Sequence, residues 1–163
     1  MSAAYDIEQW TDFFVAFAGG SAALAGLVFV AVSLNLEQIL GYPGLPERAF
    51  ATLALLITPL VVSLFGLAPQ SNTAIGIELI ATGVIFGGGL AVLTRLSLPP
   101  GGKRSWLVGR ATIAGLGTLP IAIAGPTLLA EDGGGLYWAL GGMLAALVGG
   151  VTNAWVLLVE IRR

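Results

Sequence analysis

Five stretches of the chain are each apolar over about twenty residues or more, at 13–36, 49–68, 73–96, 106–130 and 136–159. A helix of that length crosses a hydrocarbon layer of about 30 Å, rising about 1.5 Å per residue. Lipid cannot satisfy exposed backbone N–H and C=O groups, so apolar runs this long predict helices. The expected fold is an all-α integral membrane protein, a five-transmembrane-helix bundle forming a single transmembrane domain over residues 1–163.

Composition supports the same reading. A water-soluble domain of this size would need about a quarter of its residues charged to cover its surface. Here 10% are charged and 56% apolar, with a mean hydropathy of +0.93. The first run follows Asp6, Glu8 and Asp12 rather than a basic leader, and it is longer than a signal-peptide core, so it reads as a retained helix.

Turn chemistry separates the runs: Gly41-Tyr42-Pro43-Gly44-Leu45-Pro46, Pro69-Gln70-Ser71-Asn72, Leu98-Pro99-Pro100-Gly101-Gly102 and Glu131-Asp132-Gly133-Gly134-Gly135. Basic residues then set direction. Arg48 ends the first connection, Arg95, Lys103, Arg104 and Arg110 surround the third, and Arg162 and Arg163 close the chain. Five crossings put all of these on one side, and the other side receives no Lys or Arg at all. The positive-inside rule therefore predicts the N-terminus outside and the C-terminus cytoplasmic. Trp10, Tyr137 and Trp138 fall at the outer interface and Trp106 at the inner one, where amphipathic rings prefer to lie. The rival count, four crossings with one re-entrant stretch, would set Arg162 and Arg163 opposite the third connection. The make-up looks like that of small membrane proteins of high-GC bacteria, so the expected location is a bacterial plasma membrane, the cell inner membrane.

Helices in lipid associate where small residues let their backbones approach, and the chain carries 24 glycines. Ala18, Ala22, Gly26, Ser33 and Glu37 share one narrow face of the first span. Gly142, Ala146, Gly149, Gly150, Asn153 and Glu160 share one face of the fifth, and Gly83 and Gly87 form a G-x-x-x-G in the third. Two readings stand: these faces are filled within one chain, or by a second subunit. Pro59, Pro120 and Pro126 each delete an intrahelical hydrogen bond. The released carbonyls are either absorbed by Thr58, Thr118, Thr127 or local helix adjustment, or offered to a substrate.

Ionisable groups inside hydrocarbon cost about 2.5 to 3.5 kcal/mol at the centre of a span, so each needs a reason. Glu78 lies below the outer end of the third span on a face shared with Thr82, and the pair is a candidate ion or proton site. The structural alternative has Glu78 reaching outer water or pairing with a neighbouring helix. Asn35, Glu37, Arg48, Arg95, Arg110, Asn153 and Glu160, with Ser33, all fall in the cytoplasmic third of their spans. They form a candidate inner polar layer that either pairs Glu37 and Glu160 with the arginines or lines a vestibule. The basic residues at this end would also attract anionic lipid head groups.

Catalytic chemistry is scarce. Histidine and cysteine are both absent, which removes the usual zinc and iron ligands, thiol nucleophiles, disulfides and the commonest general base. The lone lysine, Lys103, sits in a loop, so no Ser-Lys dyad forms in the membrane, and Gly19-Gly20-Ser21 lacks a partner base. No paired intramembrane aspartates occur, and a net charge of −2 without a basic stripe argues against nucleic acid. No repeat of fixed period appears. The expected protein is not an enzyme and has no cofactor. It works through helix contacts as a homo-oligomer or as an accessory subunit with other membrane subunits in a lipid bilayer. The alternative is a small ion channel or transporter using Glu78 and the inner polar layer.

Overall fold

The computed structural model describes residues 3–97 and 104–161, excepting the side chains of 104–106 and 160–161. Lys103, Arg162 and Arg163 and the side chains of Arg104, Trp106 and Glu160 therefore lie outside the described residues. Two short 3₁₀ turns, Ala3–Tyr5 and Ile7–Trp10, lead into helix α1, Thr11–Leu34. Five helices follow: α2 Leu36–Gly41, α3 Leu45–Leu67, α4 Asn72–Leu96, α5 Arg104–Leu129 and α6 Leu136–Ile161. The described residues contain no strand. All but α2 are long and apolar enough to span a membrane, five such helices in total. The chain is thus an all-helical protein with the make-up of a multi-pass membrane protein.

Local chemistry explains where the elements begin and end. The first apolar run does not continue to residue 36: Asn35 turns its amide Nδ2 back to the Ala31 carbonyl at 2.8 Å, α1 stops at Leu34, and α2 follows as a separate short helix. Helix α3 begins at Leu45, four residues before the apolar run at 49. Gly44 supplies a left-handed residue (φ 83°) ahead of it, and Pro46 suits a first turn that has no use for its missing N–H. No side chain would fit at Gly44, because a Cβ there would lie 2.6 Å from the Ser97 carbonyl oxygen. Helix α4 is capped by Ser71, whose hydroxyl accepts from the Ala74 N–H at 3.3 Å.

Helices α3, α4, α5 and α6 form a closed ring, α3 touching α4 and α6 while α5 packs between the same two on the far side. Helix α1 lies outside this ring, mainly against α3. Only 6% of its apolar window is buried, against 28–39% for the others, which makes α1 a peripheral helix. Its buried strip is Phe14, Ser21 and Ala25. A large cluster fills the ring from the amino end, around Phe14, Val62, Leu79, Ile121, Leu128 and Met143. A smaller one, Leu55, Leu90, Ala114 and Ala146, continues toward the carboxyl end.

The two ends differ. At the amino end the 3₁₀ turns fold back over the bundle: Trp10 Nε1 donates to the Ala3 carbonyl, the Asn72 amide donates to Tyr5 O at 3.0 Å, and Gly134 N–H donates to the Tyr5 hydroxyl at 3.1 Å. Trp10 meets Tyr137 edge-on at 5.1 Å. At the carboxyl end Ile39 of α2 packs with Ala49 and Leu157, closing the gap between α3 and α6.

Candidate functional site

Glu78 stands in the second turn of α4, half-buried at the amino end. Its Oε2 accepts from Gln70 Nε2 at 2.7 Å, and the same amide nitrogen donates to the Phe65 carbonyl at 2.9 Å. The carboxylate thus ties α4 to the turn after α3, while Gln70 adds a second donor to the Phe65 carbonyl, which also accepts from the Ala68 N–H where α3 ends. Thr82, one turn further in, is 4% exposed. Around it lie Val62, Leu79, Ile121 and Met143, each 1% exposed or less. The polar side chains buried among them, Thr58, Ser63 and Thr118, spend their hydroxyls on carbonyls of their own helices.

The second polar group gathers at the carboxyl end of the ring. Arg48 of α3, Thr94 of α4 and Ser97 just after it, Arg110 of α5 and Asn153 of α6 surround a cavity of about 20 Å³, walled on its apolar side by Ala51, Leu55, Leu90 and Ala114. Arg110 Nη1 donates to Ser97 Oγ at 2.8 Å and approaches the Ser97 carbonyl at 3.4 Å. Ser97 Oγ in turn donates to the Thr94 carbonyl at 3.0 Å. Every helix of the ring contributes at least one polar group to this cavity.

The structure thus brings together three residues of the expected layer, Arg48, Arg110 and Asn153, and separates Asn35, Glu37 and Arg95 from them, while the Glu160 side chain lies outside the described residues. Glu37 and Arg95 are exposed and do not line the cavity, and Asn35 is spent on the break after α1. Glu37 lines a surface groove with Ser33 and Asn35 at the junction of α1 and α2. Thr94 and Ser97 are additional members. Their signal was weak: a threonine one turn beyond Leu90, and a serine that reads as the start of the Leu98-Pro99 loop. Glu47 is another addition, its Oε2 buried without a hydrogen-bond partner in the first turn of α3.

The small-residue faces divide in the same way. Gly83 packs against Ala122 and Gly87 against Thr118, so the G-x-x-x-G of α4 is filled by α5. Gly142 meets Ile121, Gly149 meets Ile113, and Ala146 is fully buried beside Gly117, so the α6 face is filled by α5 as well. Ala22 and Gly26 are exposed on α1, and a side chain at Gly19, Gly20 or Gly26 would meet nothing within 4 Å.

The proline positions show a related detail. Thr58, Thr118 and Thr127 donate to the carbonyls of Ala54, Ala114 and Ile123 at 2.8, 2.8 and 2.9 Å. The carbonyls that Pro59, Pro120 and Pro126 release belong to Leu55, Leu116 and Ala122. Each hydroxyl therefore bonds a neighbouring carbonyl, one or two residues from the released one, and shortens no gap in the ladder.

Among the described residues no cluster of three or more metal-ligating side chains occurs. Comparison with protein-family models, curated proteins and solved structures found no match to this chain.

Proposed function

We propose that this protein is a non-enzymatic membrane protein that acts through helix contacts, either as a homo-oligomer or as an accessory subunit of a membrane complex. The observation that supports this reading is the outward face of α1. Gly83 and Gly87 of α4 and Gly142 and Gly149 of α6 meet a neighbour within the chain, whereas none of the α1 glycines does: Gly19, Gly20 and Gly26, with the exposed Ala22, face away from it, as do Gly88 and Gly89 of α4 and Gly141 of α6. Glycine on a lipid-facing surface forfeits dispersion contacts and, within a helix, costs about 1 kcal/mol relative to alanine, so an open glycine face is best explained by a second helix seated on it.

The orientation that fits is N-terminus outside and C-terminus cytoplasmic, in a bacterial plasma membrane, on the distribution of Lys and Arg. Inside the ring, large apolar side chains leave only hydroxyls such as those of Thr58, Ser63 and Thr118, already bonded to their own helices, which disfavours an ion path through a single copy, and Glu78 serves the α3–α4 turn. The test is the mass of the detergent-purified protein, alone and with co-purifying subunits, for wild type and Gly26→Leu. Wild type should run as an assembly that the substitution reduces to a single chain. A strictly monomeric wild type that carries no partner would remove the support for this function.

A further inference from the structure

Helices α4 and α6 each pack against α3 and α5 but barely touch one another, so they face each other across the ring. At the carboxyl end Thr94 of α4 and Asn153 of α6 both line the cavity of about 20 Å³. Thr94 is 7% exposed, and its hydroxyl does not behave like those of other buried threonines. Thr52, Thr58 and Thr118 donate to the carbonyl four residues back, at 2.9, 2.8 and 2.8 Å, and so are satisfied within their own helices. Thr94 takes part through its carbonyl, which accepts from Ser97 Oγ. Among the described residues neither the Thr94 hydroxyl nor the Asn153 amide makes a hydrogen bond. Arg48 and Arg110 have interactions of their own. A buried hydroxyl and an amide without partners are costly, and water is small enough to reach both while offering donors and acceptors alike. A water molecule needs about 10–15 Å³ and two to four polar partners. The cavity has that room, and Ser97 Oγ, which donates once and accepts once, keeps a second lone pair as a third partner. Ala51, Leu55, Leu90 and Ala114 wall the rest with apolar surface.

We propose that this cavity is the binding site of one structural water molecule, held by the Thr94 hydroxyl and the Asn153 amide, which joins α4 to α6 across the ring. The water supplies a link between two helices that side chains leave unconnected at this end. The amino end, by contrast, is filled by apolar side chains and covered by the chain's own first turns. The site requires nothing of either arginine and does not depend on α1 meeting another helix, so it stands or falls separately from the assembly proposed above.

The experiment follows thermal unfolding of the full-length protein in detergent for wild type, Thr94→Val, Asn153→Leu and the double variant. Thr94→Val keeps the shape of the side chain and removes the hydroxyl. With the water bound, the substitution deprives it of a partner and should lower Tm by about 2–4 °C. The double variant should lose less than the sum of the two single losses, because both side chains hold the same molecule. A dry cavity gives the opposite sign: a hydroxyl that bonds nothing is replaced without loss, and Tm stays level or rises. A level or raised midpoint for Thr94→Val, or strictly additive losses, would overturn the proposal. Should Thr94→Val fail to fold, a wild-type structure that resolves ordered water decides in its place. Density within about 3.2 Å of both Thr94 Oγ1 and the Asn153 amide is the expected result, and a cavity without it would overturn the proposal.

Discussion

At the scale of single residues, glycine is used in two opposite ways. Gly83 is a point of backbone contact: a Cβ added there would lie 2.6 Å from the Ala122 nitrogen and 2.7 Å from its Cα, neither of which can rotate away. Gly83→Ala should therefore push α4 from α5 and cost about 1–3 kcal/mol, read as a lowered midpoint in thermal unfolding. A midpoint equal to wild type would contradict the α4–α5 contact. Gly26 offers the contrast, with open space where a side chain would go. The polar pair at the amino end makes a second residue-scale prediction. Gln70→Ala removes two hydrogen bonds, one of them to a carboxylate, and should cost about 1–2 kcal/mol. Glu78→Gln retains an acceptor for Gln70 and should cost less, so the order of the two midpoints checks the assigned role of Glu78.

At the scale of elements, α1 differs from its neighbours. It touches the ring along the narrow strip of Phe14, Ser21 and Ala25, and Ser21 Oγ is fully buried there without a hydrogen-bond partner. Ala22→Leu and Gly26→Leu change only the outward face, so both should leave unfolding of the single chain within about 0.5 kcal/mol of wild type. Gly149→Leu, aimed at Ile113, should lower the midpoint clearly. Equal effects from the α1 and α6 substitutions would mean that α1 is packed as tightly as the ring. This difference was not legible in the sequence. Lipid and protein interior are both apolar, so the Ala22–Gly26 face of α1 and the Gly142–Gly149 face of α6 look alike when read at 100° per residue, although one faces outward and the other is filled. The five spans were legible to within a few residues because the bilayer sets their length. Helix α2 and the early start of α3 were not, because they depend on one Asn35 side chain and on Gly44 fitting under the Ser97 carbonyl. The carboxyl-end cavity was half legible: Arg48, Arg110 and Asn153 stand out as polar groups in apolar runs, while Thr94 and Ser97 are too ordinary to do so.

At the scale of the whole molecule, the helices form two tiers of order, a four-helix ring with two apolar clusters inside it and one helix applied to its flank. The amino end is closed by the chain's own first turns, through Trp10, Tyr5 and Asn72. The carboxyl end holds the polar cavity. Assembly through α1 assumes that hydrocarbon surrounds the helices and that the two ends face opposite compartments. Because the chain contains no cysteine, single-cysteine variants test that directly. Thr73→Cys marks the amino end and Gln38→Cys the carboxyl end, both at exposed positions. A membrane-impermeant maleimide added to intact cells should label position 73 at once and position 38 only after lysis. Labelling of both from the same side, or recovery of either variant as a detergent-free soluble protein, would contradict the five-span account.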